Sequence, residues 1–287
     1  MICACVDIGS NTTRLLVGER AGAGLRVVAG DRRFLPLAPG ADGDIAPAAV
    51  RAVAAAVAEQ VALAREHGSA RVRVVATAAV RQAGNGAALG AAVAAACGVP
   101  VEVLSEAQEA AFAFAGATAG TNGGGPVGVI DVGGGSSELV CGTPGAGVAW
   151  FASIPLGSGA LTARHVHSDP PAPAELDAVR AEVAAALAPV RCPDAAQALA
   201  VGGSAMSLRR VAGERLTAAA IAEALASLAE LPAEVAALHF GVDPRRARLM
   251  PAGLVLLQAA WDALGPVPLR LADGGLREGV LIHELAA

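Results

Sequence analysis

Short apolar runs alternate with longer stretches of helical periodicity along the chain. Residues 2–8 form a β-type run that ends in Gly9-Ser10-Asn11, and residues 12–17 predict a returning strand, so the pattern indicates a glycine-tipped hairpin. Pro47 opens an Ala- and Val-rich helical stretch, which is followed by predicted strands at 72–76 and 101–104 and a helix from Glu106. This alternation is typical of an α/β layered domain.

The second half of the chain continues the alternation. Residues 121–126 (TNGGGP) lack apolar periodicity and predict a flexible joint between two domains, 1–120 and 121–287. Strands are predicted at 127–131, 197–201 and 269–271, with a surface loop at 168–173, a helix at 174–187 and a helix that opens at Ala205. A last helix, from Leu276 to about Leu285, is expected to cross back onto the first domain.

A ten-residue pattern occurs twice. DIGSNTTRLL, from Asp7, aligns without gaps on DVGGGSSELV, from Asp131, 124 positions later. In each copy a strand ends in Asp before a glycine turn, which places one carboxylate beside uncovered backbone N–H groups. Two such loops predict a clamp for a phosphate chain, with both Asp residues holding Mg²⁺. The alternative is ordinary hairpin glycines and turn-capping aspartates in a chance repeat.

The amino-acid composition excludes several classes of function. All 21 basic residues are Arg, which excludes lysine-dependent chemistry, and the net charge of −5 argues against a nucleic-acid surface. Five cysteines without a CxxC pair fit a reducing compartment, and Cys3 and Cys5 are interpreted as small core residues. Asp7 and Arg14 interrupt the N-terminal apolar stretch, so neither a targeting signal nor a membrane partner is predicted, and the expected location is cytoplasmic.

Seven ordered blocks span nearly the whole chain. They are DIGSNTTRLLV from Asp7, ATAAVRQAGN from Ala76, VEVLSEAQEA from Val101, IDVGGGSSELV from Ile130, IPLGSGALT from Ile154, AVGGSA from Ala200 and DGGLREGVL from Asp273. Together they resemble the exopolyphosphatase and guanosine pentaphosphate phosphohydrolase (Ppx/GppA) family, in a short two-domain form. The resemblance implies an α/β fold of two actin-like domains (ribonuclease H-like, of the sugar kinase/Hsp70/actin superfamily) with a cleft between them.

The resemblance also implies an activity and a set of site residues. The activity is hydrolysis of the terminal phosphate of polyphosphate or of guanosine pentaphosphate, with Mg²⁺ as cofactor and Mn²⁺ as an alternative. Glu109 matches the family's general base and Arg81 an arginine near the substrate. The metal would be held by Asp7, Asp131 and Glu138. The phosphate loops comprise Ser10, Asn11, Thr12, Gly133, Gly134, Gly135, Ser136, Gly203 and Ser204.

Each of these side chains also has a structural interpretation. Glu109 could be a solvated helix residue, Glu138 a cross-strand partner and Arg81 a capping arginine, and Gly-Gly-Ser is on its own more often a plain loop. The sequence departs from the family at Gln108, where an acid is common, and it ends without the additional helical region of longer members. With the low positive charge, this predicts a preference for short chains. A homodimer is the default oligomer.

Two other functions share the same clamp. One is a kinase or ATPase of the actin-like fold, which would need nucleotide and a second acceptor pocket. The other is a regulator that binds guanosine tetra- or pentaphosphate without hydrolysing it and would tolerate loss of the base. The blocks around Glu109 and Asp273 favour the hydrolase.

Overall fold

The computed structural model describes residues 1–22, 24–37, 40, 42–121, 124–212 and 215–286. The chain divides into two compact units, one of Met1–Thr121 with Gly274–Ala287 and one of Asn122–Asp273. The C-terminal segment, predicted within 121–287 but with its last helix crossing back onto the first domain, belongs to the first unit. Residues 122 and 123 of the predicted joint lie outside the described residues.

The first unit is built on a five-stranded mixed sheet in the order β3-β2-β1-β4-β5. Alternate residues of β1 point to opposite faces. Val6 packs with α1 and α3, whereas Cys5 packs with Val280 and Leu281 of α11. The elements are β1 (Ile2–Ile8), β2 (Thr12–Ala21), β3 (Gly24–Phe34), α1 (Pro47–Glu66), β4 (Arg71–Ala76), α2 (Ala78–Gln82), α3 (Gly86–Cys97), β5 (Val101–Val103), α4 (Glu106–Thr118) and α11 (Leu276–Ala286).

The second unit is built on a six-stranded mixed sheet in the order β10-β11-β9-β6-β7-β8. The helix α10 lies in its core, and the residues from Leu249 to Leu257 along it are all buried. The elements are β6 (Val127–Val132), β7 (Ser137–Thr143), β8 (Gly147–Ile154), α5 (Ser158–His165), α6 (Pro173–Leu187), β9 (Gln197–Val201), α7 (Gly202–Ala212), β10 (Arg215–Leu216), α8 (Ala218–Glu230), α9 (Ala233–Phe240), α10 (Pro244–Leu264) and β11 (Leu269–Leu271).

The strands and helices named from the sequence are confirmed, with ends that differ from the predicted ones by up to four residues. The helix expected to open at Ala205 begins at Gly202, so the two glycines form its first turn. Among the elements that were not predicted is β3, in which buried and exposed positions do not alternate regularly. Another is α3, whose residues are all small or apolar and leave no polar face to set a period.

Among the described residues, one helix, α1, is long and apolar enough to cross a membrane. In the structure it buries Val53, Val57 and Val61 in the core of the first unit. A long apolar helix of this kind is equally typical of a protein core. The cytoplasmic location therefore stays a prediction.

Candidate phosphate and metal site

The two copies of the sequence repeat fold into the same turn. In the first unit the N–H of Gly9 donates to the carbonyl oxygen of Thr12 at 3.0 Å, and in the second unit the N–H of Gly133 donates to that of Ser136 at 3.0 Å. Each turn joins two antiparallel strands, β1 to β2 and β6 to β7. The two copies of the repeat therefore occupy equivalent hairpins in the two sheets.

The carbonyl groups of both loops are tied back to their own unit. In the first loop, Ser10 and Asn11 accept hydrogen bonds from the backbone N–H groups of Leu37 and Leu35 at 2.8 and 2.9 Å. In the second loop, Gly133 accepts from Ser158 at 2.9 Å, and Gly134 accepts from the next two residues of α5 at 3.0 Å each. These bonds use the carbonyl oxygens of the loops and leave their backbone N–H groups available for another acceptor.

The N–H groups are the part of each loop that a phosphate would meet. Within the described ranges, no protein acceptor takes the N–H of Ser10 or Asn11 in the first loop, or of Gly134 or Gly135 in the second. Successive unpaired N–H groups in a turn form a concave site for anions. Both loops are therefore suited to cradle a phosphate group.

The two hairpins differ in the residue that faces the aspartate across the strands. Asp7 is opposite Arg14, and Asp131 is opposite Glu138. Directly opposed residues of an antiparallel pair place their side chains on the same face of the sheet. The first hairpin thus combines a carboxylate with a guanidinium, and the second combines two carboxylates.

The carboxylate pair of the second unit is oriented by its neighbours. Glu138 is buried, and one of its oxygens accepts hydrogen bonds from the hydroxyls of Ser136 at 2.8 Å and Ser153 at 3.3 Å. The carboxylate of Asp131 lies over Gly202, where a Cβ atom would come within 2.5 Å of Oδ1. Two adjacent carboxylates repel each other unless a cation joins them, and Mg²⁺ prefers such oxygen ligands.

This pair fits a magnesium ion, although it supplies only part of a coordination shell. No group of three or more His, Cys, Asp or Glu side chains suited to a metal occurs in the part of the chain that the structure describes. Mg²⁺ is commonly bound by one or two carboxylates, with waters and substrate phosphates as the other ligands. Asp131 and Glu138 meet that requirement, and the predicted role of Asp7 as a third ligand stays a prediction.

Asp7 lies in a different electrostatic setting. Its Oδ1 atom is buried and accepts no hydrogen bond from any residue that the structure describes. Burial raises the pKa of the Asp7 carboxyl, the guanidinium groups of Arg277 and Arg14 lower it, and the carboxylate of Glu278 raises it. Asp7 therefore lies among charges of both signs within its own unit, with Arg14 directly opposite it in the hairpin.

An arginine that was not predicted from the sequence packs against the first turn of α7. The guanidinium of the buried residue Arg246, on α10, packs against Gly203, where a Cβ atom would lie 2.5 Å from Nη1. Ser204, by contrast, is fully buried, and its hydroxyl packs against Gly253. The structure therefore gives no support to phosphate binding by the Ser204 hydroxyl, whereas Gly203 and Arg246 lie at the positive end of a helix.

Glu109 is buried in the first turn of α4 and is paired with Arg81. Nη1 of Arg81 donates to Oε2 of Glu109 at 2.7 Å and to the carbonyl of Leu104 at 2.8 Å. The pair compensates the charge of the buried carboxylate and holds it in one orientation. The solvated-helix interpretation of Glu109 is therefore wrong, and Arg81 positions Glu109. A contact of Arg81 with phosphate stays a prediction; its Nη2 atom is buried, donates no hydrogen bond within the described part of the chain and lies 3.9 Å from Oε1 of Glu106.

Three arginines near these loops were not predicted: Arg14, Arg246 and Arg277. Arg14 had a sequence signal, because the repeat aligns it with Glu138. Arg277 lies in the block DGGLREGVL, from Asp273, but nothing in the sequence places it near Asp7. Arg246 lacks a motif, and only the fold brings it to Gly203.

The sheet orders and the equivalent glycine-turn hairpins of the two units define a protein of the actin-like α/β class. The chain belongs to the Ppx/GppA phosphatase family, whose sequence model matches residues 16–287. The Ppx/GppA family member of Aquifex aeolicus has a crystal structure that is similar to this chain, with 28% identity, a TM-score of 0.82 and coverage of 100% of this chain and 98% of that one.

One further solved structure and one further sequence are similar to this chain. An exopolyphosphatase from Cytophaga hutchinsonii shares the fold at 20% identity, with a TM-score of 0.87 and coverage of 100% of this chain and 98% of that one. An uncharacterized protein of Streptomyces coelicolor is 30% identical over 178 residues, which is 56% of this chain and 53% of that protein. The chain thus matches about half the length of this curated relative.

Proposed function

We propose that this protein is a metal-dependent phosphohydrolase that releases the terminal phosphate from a phosphoanhydride chain, either inorganic polyphosphate or guanosine pentaphosphate. The observation that carries the proposal is the pair of loops whose carbonyls are tied back and whose N–H groups have no acceptor among the described residues. Both substrates present the same terminal phosphoanhydride, and the two loops suit either of them.

Charged side chains would bind the phosphate oxygens and the metal ion. Arg14 and Arg246 are suited to phosphate oxygens, because a guanidinium offers several donors in a fixed plane. Asp131 and Glu138 would hold Mg²⁺, and Mn²⁺ is an alternative with the same ligand preference. When bound, the metal supplies positive charge to the phosphate oxygens.

Glu109 is proposed as the general base that orients the attacking water and takes its proton. Its ion pair with Arg81, at 2.7 Å, fixes the carboxylate before substrate arrives. General-base assistance contributes about 10²–10⁴-fold to the rate. The rest of the acceleration must come from charge stabilisation by the loop N–H groups, the arginines and the metal.

The defining experiment compares phosphate release from polyphosphate, guanosine pentaphosphate and ATP in the presence of Mg²⁺. Release from either of the first two and little from ATP is expected. ADP formation that depends on a sugar or acetate acceptor would instead identify a kinase. Tight binding of the guanosine nucleotide without release from any substrate, across several metals, would identify a non-hydrolytic regulator.

The base is tested with a matched pair of variants on the same helix. Glu109→Gln should lower kcat about a hundredfold or more with little change in substrate binding. Glu106→Gln, one turn earlier on α4, changes a 53% exposed side chain 3.9 Å from Nη2 of Arg81 but leaves the 2.7 Å bond of Nη1 to Glu109, so it should keep nearly full turnover. Equal turnover in Glu109→Gln and the unmodified protein would remove Glu109 from the mechanism.

A preference for short chains is the finer part of the proposal. The net charge of −5 supports it, because a long polyanion needs extended positive charge along its path. Turnover should be faster on chains of about ten phosphates than on chains of several hundred. Faster, processive digestion of the long polymer would contradict this preference.

A further inference from the structure

A row of charged side chains crosses three strands of the first unit beside the loop at Gly9. Asp7 on β1 is opposite Arg14 on β2, and Arg14 is in turn opposite Arg32 on β3. Directly opposed residues of antiparallel strands project from the same face of the sheet, with Cβ atoms about 4.5–5.5 Å apart. The row therefore places two guanidinium groups side by side on the face that carries Asp7.

Positive charge is in excess in this row. Arg32 is exposed and forms no ion pair with any carboxylate that the structure describes, because the adjacent Asp31 lies on the other face and pairs with Arg33. Arg277 and Glu278 of α11, which also act on Asp7, carry opposite charges. Two guanidinium groups thus share one carboxylate, and like charges directly opposed destabilise a sheet. A bound anion would offset that repulsion.

The backbone under Arg32 is fixed relative to the loop. Three residues further along the chain, the N–H of Leu35 donates to the carbonyl oxygen of Asn11 at 2.9 Å. On the opposite face of the sheet the buried Gln60 of α1 donates to Asp31 of β3 at 3.0 Å and to a backbone carbonyl oxygen of β2 at 3.4 Å. These bonds hold β3 to β2 and to the loop, so Arg32 has a defined place in the site.

The loop and the two arginines form three successive contact points for an anion. The unpaired N–H groups of Ser10 and Asn11 come first. Arg14 lies two residues beyond the start of β2, about 6–7 Å along the strand, and Arg32 lies one strand further, about 4.8 Å away. A guanidinium matches phosphate oxygens with several donors in one plane. The arrangement therefore suits three linked phosphoryl groups, of which only the first reaches the loop.

From this placement we propose that Arg32 is a further substrate-binding residue, which together with Arg14 binds the phosphoryl groups behind the terminal one in a chain of at least three. The inference rests on the proposed function for the identity of the site and adds a minimum length to its substrate. Inorganic polyphosphate and the 5′-triphosphate of guanosine pentaphosphate share this chemistry. Pyrophosphate has too few phosphoryl groups to extend from the loop to Arg32.

The test is calorimetric titration of the full-length chain with tripolyphosphate and with pyrophosphate in the presence of EDTA, so that binding is measured without turnover. Arg32→Gln should raise the Kd of tripolyphosphate about five- to tenfold and that of pyrophosphate less than about twofold. Arg32→Lys keeps the charge and should bind tripolyphosphate within about threefold of the unmodified protein.

The matched control is Arg26→Gln on the same strand. It removes the same charge from a 64% exposed side chain, which pairs with Glu19, and should change either Kd by less than about twofold. Because Arg32 forms no ion pair with the described carboxylates, Arg32→Gln should also keep the urea midpoint of the unmodified protein. A midpoint that falls together with the affinity would assign Arg32 a structural role and overturn the proposal.

The remaining outcomes are equally decisive. An unchanged Kd for tripolyphosphate in Arg32→Gln, an equal loss for pyrophosphate, or failure of the unmodified protein to bind tripolyphosphate would overturn the inference. Guanosine pentaphosphate should show the same loss as tripolyphosphate. A loss with the nucleotide alone would place Arg32 on its second phosphate chain and contradict the proposal. A protein that binds tripolyphosphate as expected but releases no phosphate with Mg²⁺ would contradict the proposed function and leave this inference standing.

Discussion

The loops at Gly9 and Gly133 share one backbone turn but are held and charged differently. The first is fixed by the chain that continues beyond β3, and the second by the first turn of α5. Arg14 faces the aspartate of the first hairpin, and Glu138 faces that of the second. The same turn therefore sets a carboxylate opposite a guanidinium in one unit, which suits an anion, and opposite a second carboxylate in the other, which suits a metal ion.

The largest expected effect is on the Mg²⁺ concentration that the enzyme requires, which should respond differently to changes at the two aspartates. Asp131→Asn should raise the Mg²⁺ concentration for half-maximal activity by about a hundredfold, since it breaks the carboxylate pair with Glu138. Asp7→Asn should shift it much less. A magnesium titration of phosphate release measures both. Equal shifts would show that the two loops contribute alike to metal binding.

The second effect concerns substrate affinity. Arg14→Gln should raise KM about tenfold at saturating Mg²⁺, because it removes a charge-assisted contact to phosphate oxygens. The concentration of Mg²⁺ required should stay unchanged. Steady-state kinetics on a short polyphosphate test this, and Arg20→Gln on the same strand is a control that keeps the change in net charge. An unaltered KM would remove Arg14 from the anion site.

The two turn glycines should differ in the space around them. A Cβ atom at Gly133 would lie 2.7 Å from the carbonyl oxygen of Ser136, whereas at Gly9 the nearest atom, the carbonyl oxygen of Thr12, lies at 3.4 Å. Gly133→Ala should therefore lower the free energy of unfolding by about 1–3 kcal/mol, and Gly9→Ala by less than about 1 kcal/mol. Urea unfolding compares the two. A larger loss of stability for Gly9→Ala than for Gly133→Ala would contradict the prediction, because it would show that these Cβ contacts do not determine the cost.

The smallest effect tests how the second loop is anchored. Ser158 donates to the carbonyl of Gly133 with its hydroxyl at 3.1 Å and with its N–H at 2.9 Å. Ser158→Ala removes only the hydroxyl and should lower the free energy of unfolding by about 1 kcal/mol, with the backbone bond intact. Thr162→Ala, one turn later on α5, loses a hydroxyl bond within the helix and is the control. A large loss of activity without loss of stability in Ser158→Ala would show a direct contact with substrate.

Much of the fold could be predicted because strands and helices leave a local period in the chain. The β1–β2 hairpin, α1 and α4 follow from apolar spacing, from a proline at a helix start and from the capping residue Ser105. β3 and α3 could not be predicted in this way. β3 is an edge strand in which exposure does not alternate, and α3 is mostly alanine and glycine. Neither segment alternates between apolar and polar positions in a way that would reveal its period.

Of the candidate site, the sequence by itself determined the parts that lie within a few residues of each other. These are the two glycine turns, the aspartates before them, and the Arg14 and Glu138 positions that the repeat aligns. Only the tertiary structure decided that Arg81 holds Glu109, that Arg246 packs on Gly203, and that Ser204 faces Gly253. The physical reason is that a turn is set by adjacent dihedral angles and hydrogen bonds, whereas these contacts join distant segments that meet only when the helices pack on their sheets.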